Sequence, residues 1–335
     1  MRRSSQITLK EIYQARKQIS PYVRKTPLVA SPQLSKVTGS AVTLKLENLQ
    51  ETGAFKLRGA TNRLLNLSEE QLSRGVITVS SGNHGRAVSH IAHQLGVRAV
   101  VCISEFVPSN KIRAIRDIGG EVEIAGKTYD ETLAHALSLQ KDQGLTMIQS
   151  FDDPFVISGQ GTIGVELLED LPEIDTAIVP LSGGSLFSGI AIALKSADPE
   201  IRMVGVSMER GPAMVKSLQA GRVVDVEEEP TLADGLVGGI GKDNKYTFDL
   251  VRNTIDEAVL VSEEEISGAM AFALREHQLV VEGAGAVGMA ALLADKVGPL
   301  GEHVSVIISG GNVEIPVLLD QPLDSWGEPF GMETP

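Results

Sequence analysis

The sequence predicts an α/β fold of parallel sheets wrapped by helices. Short β-branched runs alternate with amphipathic stretches along most of the chain, as repeated strand–helix units require. Several runs end in Gly- and Ser-rich turns that lead directly into helical periodicity. The 335 residues suffice for two compact α/β lobes or one large one.

The strand-like runs are Val42–Glu47, Gly75–Ser80, Arg98–Ser104 and Glu121–Gly126, then Asp175–Ser182, Arg202–Ser207, Glu257–Ser262 and His303–Ser309. Between them, stretches such as NHGRAVSHIAHQLG and YDETLAHALSLQKDQG place apolar residues at helical spacing. The second ends at Gly144, a C-capping glycine. After Ile315 the sequence is rich in Pro and acid and is expected to be irregular. No repeat of fixed period and no low-complexity segment occurs.

Acidic residues outnumber basic ones by 43 to 30, giving a net charge of −13. No basic face stands out to release counterions from a duplex, so neither nucleic acid nor an anionic membrane is expected as a partner. Hydrophobic stretches are broken by Gly or charge well short of a membrane span. MRRSSQ is basic, but no apolar signal core follows it. Cys102 is the only cysteine and lies in an apolar run, so it reads as a small buried hydrophobe. Together these features lead to an expectation of a cytoplasmic protein.

Four turns carry candidate chemistry. Lys56 follows a Gly-containing turn and Phe55 at the start of a helical pattern. Most lysines are solvated surface charges, but this setting offers a route into a cleft, where a desolvated amine becomes a nucleophile or base. In SSGNHG, Ser80, Ser81, Gly82, Asn83 and His84 gather hydroxyl and amide groups at a helix N-terminus, a favourable place for a carboxylate. The alternative there is a capped helix whose Ser and Asn serve only their own backbone. Ser182, Gly183, Gly184, Ser185 and Leu186 form a strand–glycine loop–helix turn suited to a phosphate, without the lysine of a Walker loop. Ser309 stands at the end of the last strand, where a hydroxyl can meet a ring nitrogen. His90 and His93 lack a third ligand, so no metal site is expected.

Two G-x-G-x-x-G matches, GQGTIG (Gly159–Gly164) and GAGAVG (Gly283–Gly288), raise a nicotinamide-binding alternative. The first follows a Pro-interrupted stretch that makes a poor buried strand. The second is followed by a strand ending in Ser309 and glycines, where the ribose-binding acid should stand. GAGAVG therefore reads better as a helix start.

In order, TGAFKLRGA, SSGNHG, GQGTIG, SGGSL, TLADGL and SGGN resemble the fold-type II pyridoxal-phosphate enzymes, specifically the serine/threonine dehydratases and serine racemases. The match runs from Arg24 to Asn312. It implies a two-lobed fold like that of the tryptophan synthase β subunit, with the active site between parallel-sheet domains. Residues 1–74 and 148–320 would form the large domain, 75–147 the small one, and 321–335 the irregular tail. It makes Lys56 the Schiff-base lysine and Phe55 a packing surface for the ring. Asn83 would bond the cofactor's 3′-oxygen, residues 182–186 its phosphate, and Ser309 its pyridine nitrogen, with Glu282 near the ring's outer edge. Residues 80–84 would hold the substrate carboxylate, and Ser81 takes the place of the second-face acid/base of racemases.

The resemblance thus implies pyridoxal phosphate as cofactor, α,β-elimination on a β-hydroxy amino acid, and a homodimer. VPLSGGSLFSGIAIALK, GVSMERGPAM and LVGGIG are most similar to the hydroxyectoine-utilization dehydratases. Hydroxyectoine itself is a cyclic amidine without a primary amine, so a ring-opened derivative is the chemically simpler substrate. Ser182 and Ser185 depart from an all-glycine phosphate loop, and Ser207 and Ala213 stand where many relatives carry cation-binding acids. With no regulatory domain after Asn312, allosteric amino-acid feedback is not expected.

Overall fold

The computed structural model describes residues 7–107 and 109–319, so Met1–Gln6 and the expected tail at 321–335 lie outside the described residues. Two sheets organise the chain. The larger has the order β1-β2-β10-β7-β8-β9, built from β1 (Leu28–Ala30), β2 (Ala41–Leu46), β7 (Thr176–Pro180), β8 (Arg202–Met208), β9 (Glu257–Val261) and β10 (His303–Ile308). Only β1 pairs antiparallel, with β2. The smaller sheet is parallel throughout, in the order β5-β4-β3-β6, from β3 (Val76–Val79), β4 (Ala99–Ile103), β5 (Glu121–Ile124) and β6 (Thr146–Met147). All eight strand-like runs of the sequence are strands here; β1 and β6 are additional.

The helices are α1 (Leu9–Ile19), α2 (Pro32–Thr38), α3 (Lys56–Leu65), α4 (Glu69–Arg74), α5 (Asn83–Gln94), α6 (Ser109–Arg116) and α7 (Tyr129–Gln143). They continue with α8 (Pro154–Asp170), α9 (Ser185–Ala197), α10 (Ala213–Ala220), α11 (Thr247–Thr254), α12 (Glu263–His277), α13 (Gly283–Leu293) and α14 (Ile315–Leu319). Gly144 ends α7 in the left-handed conformation, φ +68°, as its place in the sequence predicts. Both faces of the large sheet are covered, one by α12 and α13, the other by α8 and α9, which explains strands that are apolar on both sides. Among the described residues, no helix is long and apolar enough to cross a membrane.

Strand order locates the place where a ligand fits. In the large sheet the chain leaves β7 toward β8 on one side, while β10 returns on the other. In the small sheet it leaves β3 toward β4, while β6 returns on the opposite side. Loops diverge at such switch points beyond the strands' carboxyl ends and leave a crevice. The loops there are Leu181–Gly184 after β7, Ser309–Asn312 after β10, Ser80–Gly82 after β3, and Ile148–Asp153 after β6.

Both glycine motifs prove to be helix-packing devices. GQGTIG lies inside α8, where Cβ atoms on Gly159, Gly161 and Gly164 would stand 2.7 Å from the Arg58 carbonyl, 2.6 Å from Ile12 and 2.7 Å from Ala193. GAGAVG forms the first turns of α13, with Gly288 packed against Val306 of β10. We expect Gly159→Ala to destabilise the protein by about 1–3 kcal/mol, because its Cβ meets rigid backbone of α3 rather than a movable side chain. Urea denaturation measures this; an unchanged midpoint would show that the α3–α8 contact yields freely.

Candidate active site

Lys56 opens α3, and no side chain caps that helix. The preceding loop is pinned to the end of β10: Phe55 N–H donates to the Ser309 carbonyl at 3.0 Å, and Gly311 N–H donates to the Gly53 carbonyl at 2.9 Å. The Lys56 amine donates to the Ser150 carbonyl at 2.9 Å and lies 5.1 Å from the Phe55 ring centroid. Burial of the amine lowers its pKa to about 8. A substantial fraction is therefore neutral, and nucleophilic, in mildly alkaline water.

Helix α5 begins at Asn83, and its N-cap, Gly82, makes no side-chain capping bond. A Cβ on Gly82 would face open space, so this terminus borders the crevice. Ser80 accepts from Gly82 N–H at 3.3 Å, whereas Asn83 spends its side chain elsewhere, which rules out a purely capping role for it. His84 is buried, with Nε2 at 3.1 Å from the Ile148 carbonyl. A carbonyl only accepts, so Nε2 carries the hydrogen and Nδ1, which has no partner among the described residues, offers a lone pair. Burial and the nearby Lys56 charge push the His84 pKa down to about 3, which removes it as a general base near neutral pH.

The loop after β7 leads into α9, whose N-cap Gly184 also lacks a side-chain cap. Gly184 has φ +92°, a conformation that favours glycine. A Cβ on Gly183 would come within 2.5 Å of the Phe151 ring. The loop thus packs beside the segment whose Ser150 carbonyl holds Lys56. The Ser182 hydroxyl donates to the Leu236 carbonyl at 2.7 Å, tying the loop to TLADGL. Ser185 and Leu186 are buried in the first turn of α9. Among the described residues no bond to a partner places Ser81, which is half-buried beside Gly82.

Glu282 is the N-cap of α13 and is buried beside the loop after β10. Asn83 Nδ2 donates to its Oε1 at 2.7 Å and Asn312 N–H to its Oε2 at 3.0 Å. Burial, with the charge of Asp234, raises its pKa to about 7, although these two donors and Arg86 act in the opposite direction. Ser309 is buried, its hydroxyl 3.4 Å from the Ala284 carbonyl. From the small-sheet side, Lys111 pairs with Asp234 at 3.0 Å and Asn110 donates to Glu314 at 2.9 Å.

The crevice therefore gathers residues from all four switch-point loops. Ser150, Phe151, Arg86 and Asn312 belong to it as well. Only Asn312 had a sequence signal, as the last residue of SGGN. Among the described residues, no three His, Cys, Asp or Glu side chains are placed to hold a metal ion.

The profile of the pyridoxal-phosphate dependent enzymes matches residues 19–310. A putative threonine dehydratase of Sinorhizobium fredii is 45% identical over 315 residues, covering 94% of this chain and 95% of that protein. An L-threonine ammonia-lyase of Thermotoga maritima is 44% identical over 309 residues, covering 92% of this chain and 76% of its own length. Maize serine racemase superposes with a TM-score of 0.89 at 35% identity, covering 93% of this chain and 95% of that one.

The residues present suit the cofactor of this family. They offer a desolvated amine, an uncapped helix N-terminus with a glycine turn for the phosphate, and an unpartnered buried acceptor at His84. Lys56 and Glu282, side chains with strongly shifted pKa values, lie at the switch points rather than on a generic surface. By its sequence, its fold and the match across most of its length, this chain belongs to the pyridoxal-phosphate dependent enzymes, among the fold-type II relatives of threonine dehydratase and serine racemase.

Proposed function

We propose that the protein is an ammonia-lyase that eliminates water from a β-hydroxy amino acid and, with one water taken back in hydrolysis, releases ammonia and a 2-oxo acid. One observation carries this reading: the Lys56 amine, its pKa lowered by burial, is flanked by two uncapped helix N-termini, α5 and α9. The site thus provides a base and two separate anion-binding ends. The α9 terminus and residues 182–186 suit the cofactor's phosphate, and the α5 terminus with residues 80–84 suits the substrate carboxylate. Phe55 packs beside the amine; Asn83 would hold the cofactor's ring oxygen, and Glu282 would lie near the ring's edge. Ser309 stays neutral, so it does not enforce a proton on the ring nitrogen as a carboxylate would.

Bound pyridoxal phosphate supplies the electron sink for charge developing at the α-carbon. Lys56 takes the α-proton, while the α5 N-terminus holds the carboxylate in place. His84, kept neutral, can only accept a hydrogen bond at Nδ1. The β-hydroxyl leaves as water with one proton, balanced by the α-proton that Lys56 takes, and hydrolysis of the resulting enamine consumes one water, giving the 2-oxo acid and ammonia.

L-threonine is the proposed substrate of first choice, in line with the relatives' names, and L-serine the second, in line with the likeness to maize serine racemase. The resemblance of Val179–Lys195 and Gly205–Met214 to hydroxyectoine-utilization dehydratases supports a narrower reading, a ring-opened hydroxyectoine derivative as the substrate. Ser81 beside the carboxylate site supports racemization as a side reaction. The resemblance also supports a homodimer, and the single cysteine is in line with a reducing, cytoplasmic setting. The test is to incubate the yellow holoenzyme with each amine in turn, following ammonia, 2-oxo acid and the chirality of recovered serine. Ammonia and 2-oxo acid in equal amounts are expected. Release from the ring-opened compound alone would select the narrower reading, and no release from any of them would refute the lyase.

A further inference from the structure

Arg86 is half-buried on α5, one turn beyond the N-terminus that borders the crevice, and among the described residues makes no carboxylate ion pair. Its guanidinium donates at 2.5 Å to Asn312 Oδ1. Asn312 Nδ2 donates to Asn83 Oδ1 at 2.7 Å and to the Thr52 carbonyl at 2.8 Å, and Asn83 Nδ2 donates to Glu282 Oε1 at 2.7 Å. The direction of this chain follows from the inventory of donors. A guanidinium has no acceptor, so the Asn312 atom it meets is the carbonyl oxygen, and the NH2 group of Asn312 must face the other way. Asn83 then presents its oxygen to Asn312 and its NH2 group to Glu282. One N–H of that group is used, and the second remains for another acceptor. A run of aligned bonds from a cation through two amides to a buried carboxyl also strengthens each member.

We propose that Arg86 is a positioning residue for the cofactor: acting through Asn312, it fixes the orientation of the Asn83 amide so that one N–H anchors Glu282 and the other is held for the cofactor's ring oxygen. This rests on the assignment of Asn83 to that oxygen. Removing the guanidinium leaves Asn312 Oδ1 without its donor and lets both amides turn over, which would aim a carbonyl of Asn83 at an oxygen. Arg86 acts through the two amides, so its effect belongs to cofactor affinity and spectrum rather than to proton transfer.

The test titrates apoenzyme with pyridoxal phosphate, following quenching of protein fluorescence and the visible absorbance of the bound cofactor; circular dichroism of each apo variant verifies folding. Arg86→Met is expected to raise the cofactor Kd about tenfold and to shift the absorbance maximum, the size of effect that loss of one charge-assisted bond allows. Arg86→Lys, which also can only donate, is expected to restore both within about threefold. In an Asn83→Ala background, Arg86→Met is expected to change Kd by less than about twofold, since the amide it orients is gone. Wild-type affinity and spectrum in Arg86→Met would overturn the proposal, as would an equal loss in both backgrounds. Should Asn83→Ala alone leave Kd unchanged, the Asn83 assignment falls together with it. When Asn83→Ala weakens binding and Arg86→Met does not, only the role of Arg86 is refuted.

Discussion

Lys56→Ala is expected to lower turnover of any accepted substrate by at least about 10³-fold, while the protein stays folded and still takes up cofactor. Lys56 is the amine of the crevice with its pKa lowered to about 8, while His84 is held neutral with a pKa near 3 and Glu282 is engaged by Asn83 and Asn312. Losing a positioned base typically costs about 10²- to 10⁴-fold, and losing the covalent anchor adds to that. Affinity for the phosphate end is expected to survive, because residues 182–186 and the α9 N-terminus are untouched. The same pKa predicts a pH dependence for wild-type loading. Below about pH 8 the amine is mostly ammonium and cannot attack a carbonyl, so the rate of chromophore formation should rise about tenfold per pH unit from pH 6 and level off above 8. Borohydride should fix the chromophore to wild type and not to Lys56→Ala. Chromophore fixed to the variant, or a loading rate flat from pH 6 to 9, would remove Lys56 from its assigned role.

The framework of this fold was legible because its strands are long enough to display β-branched runs and end in turn residues. The strands β1 and β6 were not, because three and two residues cannot show a period. They exist through pairing with β2 and β3. The glycine motifs show the opposite failure. G-x-G-x-x-G records where something approaches the backbone closely, and on α8 that neighbour is another helix rather than a pyrophosphate. Within the crevice, Lys56, Asn83, Ser309 and the loop after β7 follow local rules of strand-to-helix turns. Arg86 and Asn312 do not, for their meaning lies in a contact between residues 226 positions apart in the chain. Likewise, the unused lone pair of His84 depends on the Ile148 carbonyl, contributed by a loop that sequence periodicity leaves unmarked.

Arg58→Met is expected to be the most destabilising single change among the charged residues, by roughly 3–5 kcal/mol in urea denaturation. Arg58, Lys45, Glu47 and Glu166 form a buried cluster of two positive and two negative groups. Arg58 meets Glu47 through Nε at 2.8 Å and Glu166 through Nη1 at 2.6 Å, while Lys45 lies 2.6 Å from Glu166. Burial opposes the guanidinium charge, and the two carboxylates outweigh it, so Arg58 stays charged with its pKa raised. Removing it would leave two buried carboxylates to one ammonium. The location gives this cluster its bearing on the active site. Glu47 begins the excursion that carries Lys56 and Arg58 follows it by two residues, so the pair closes that loop at its base, and Glu166 fastens it to α8. A variant that retains fold under mild conditions should therefore also load cofactor more weakly, because the start of α3 is no longer fixed. Arg58→Lys preserves charge but cannot fork to two carboxylates and should recover only part of the stability. Equal denaturation midpoints for wild type and Arg58→Met would mean that the cluster stabilises nothing, and a stable variant with normal loading would show that the loop is held by its β10 contacts alone.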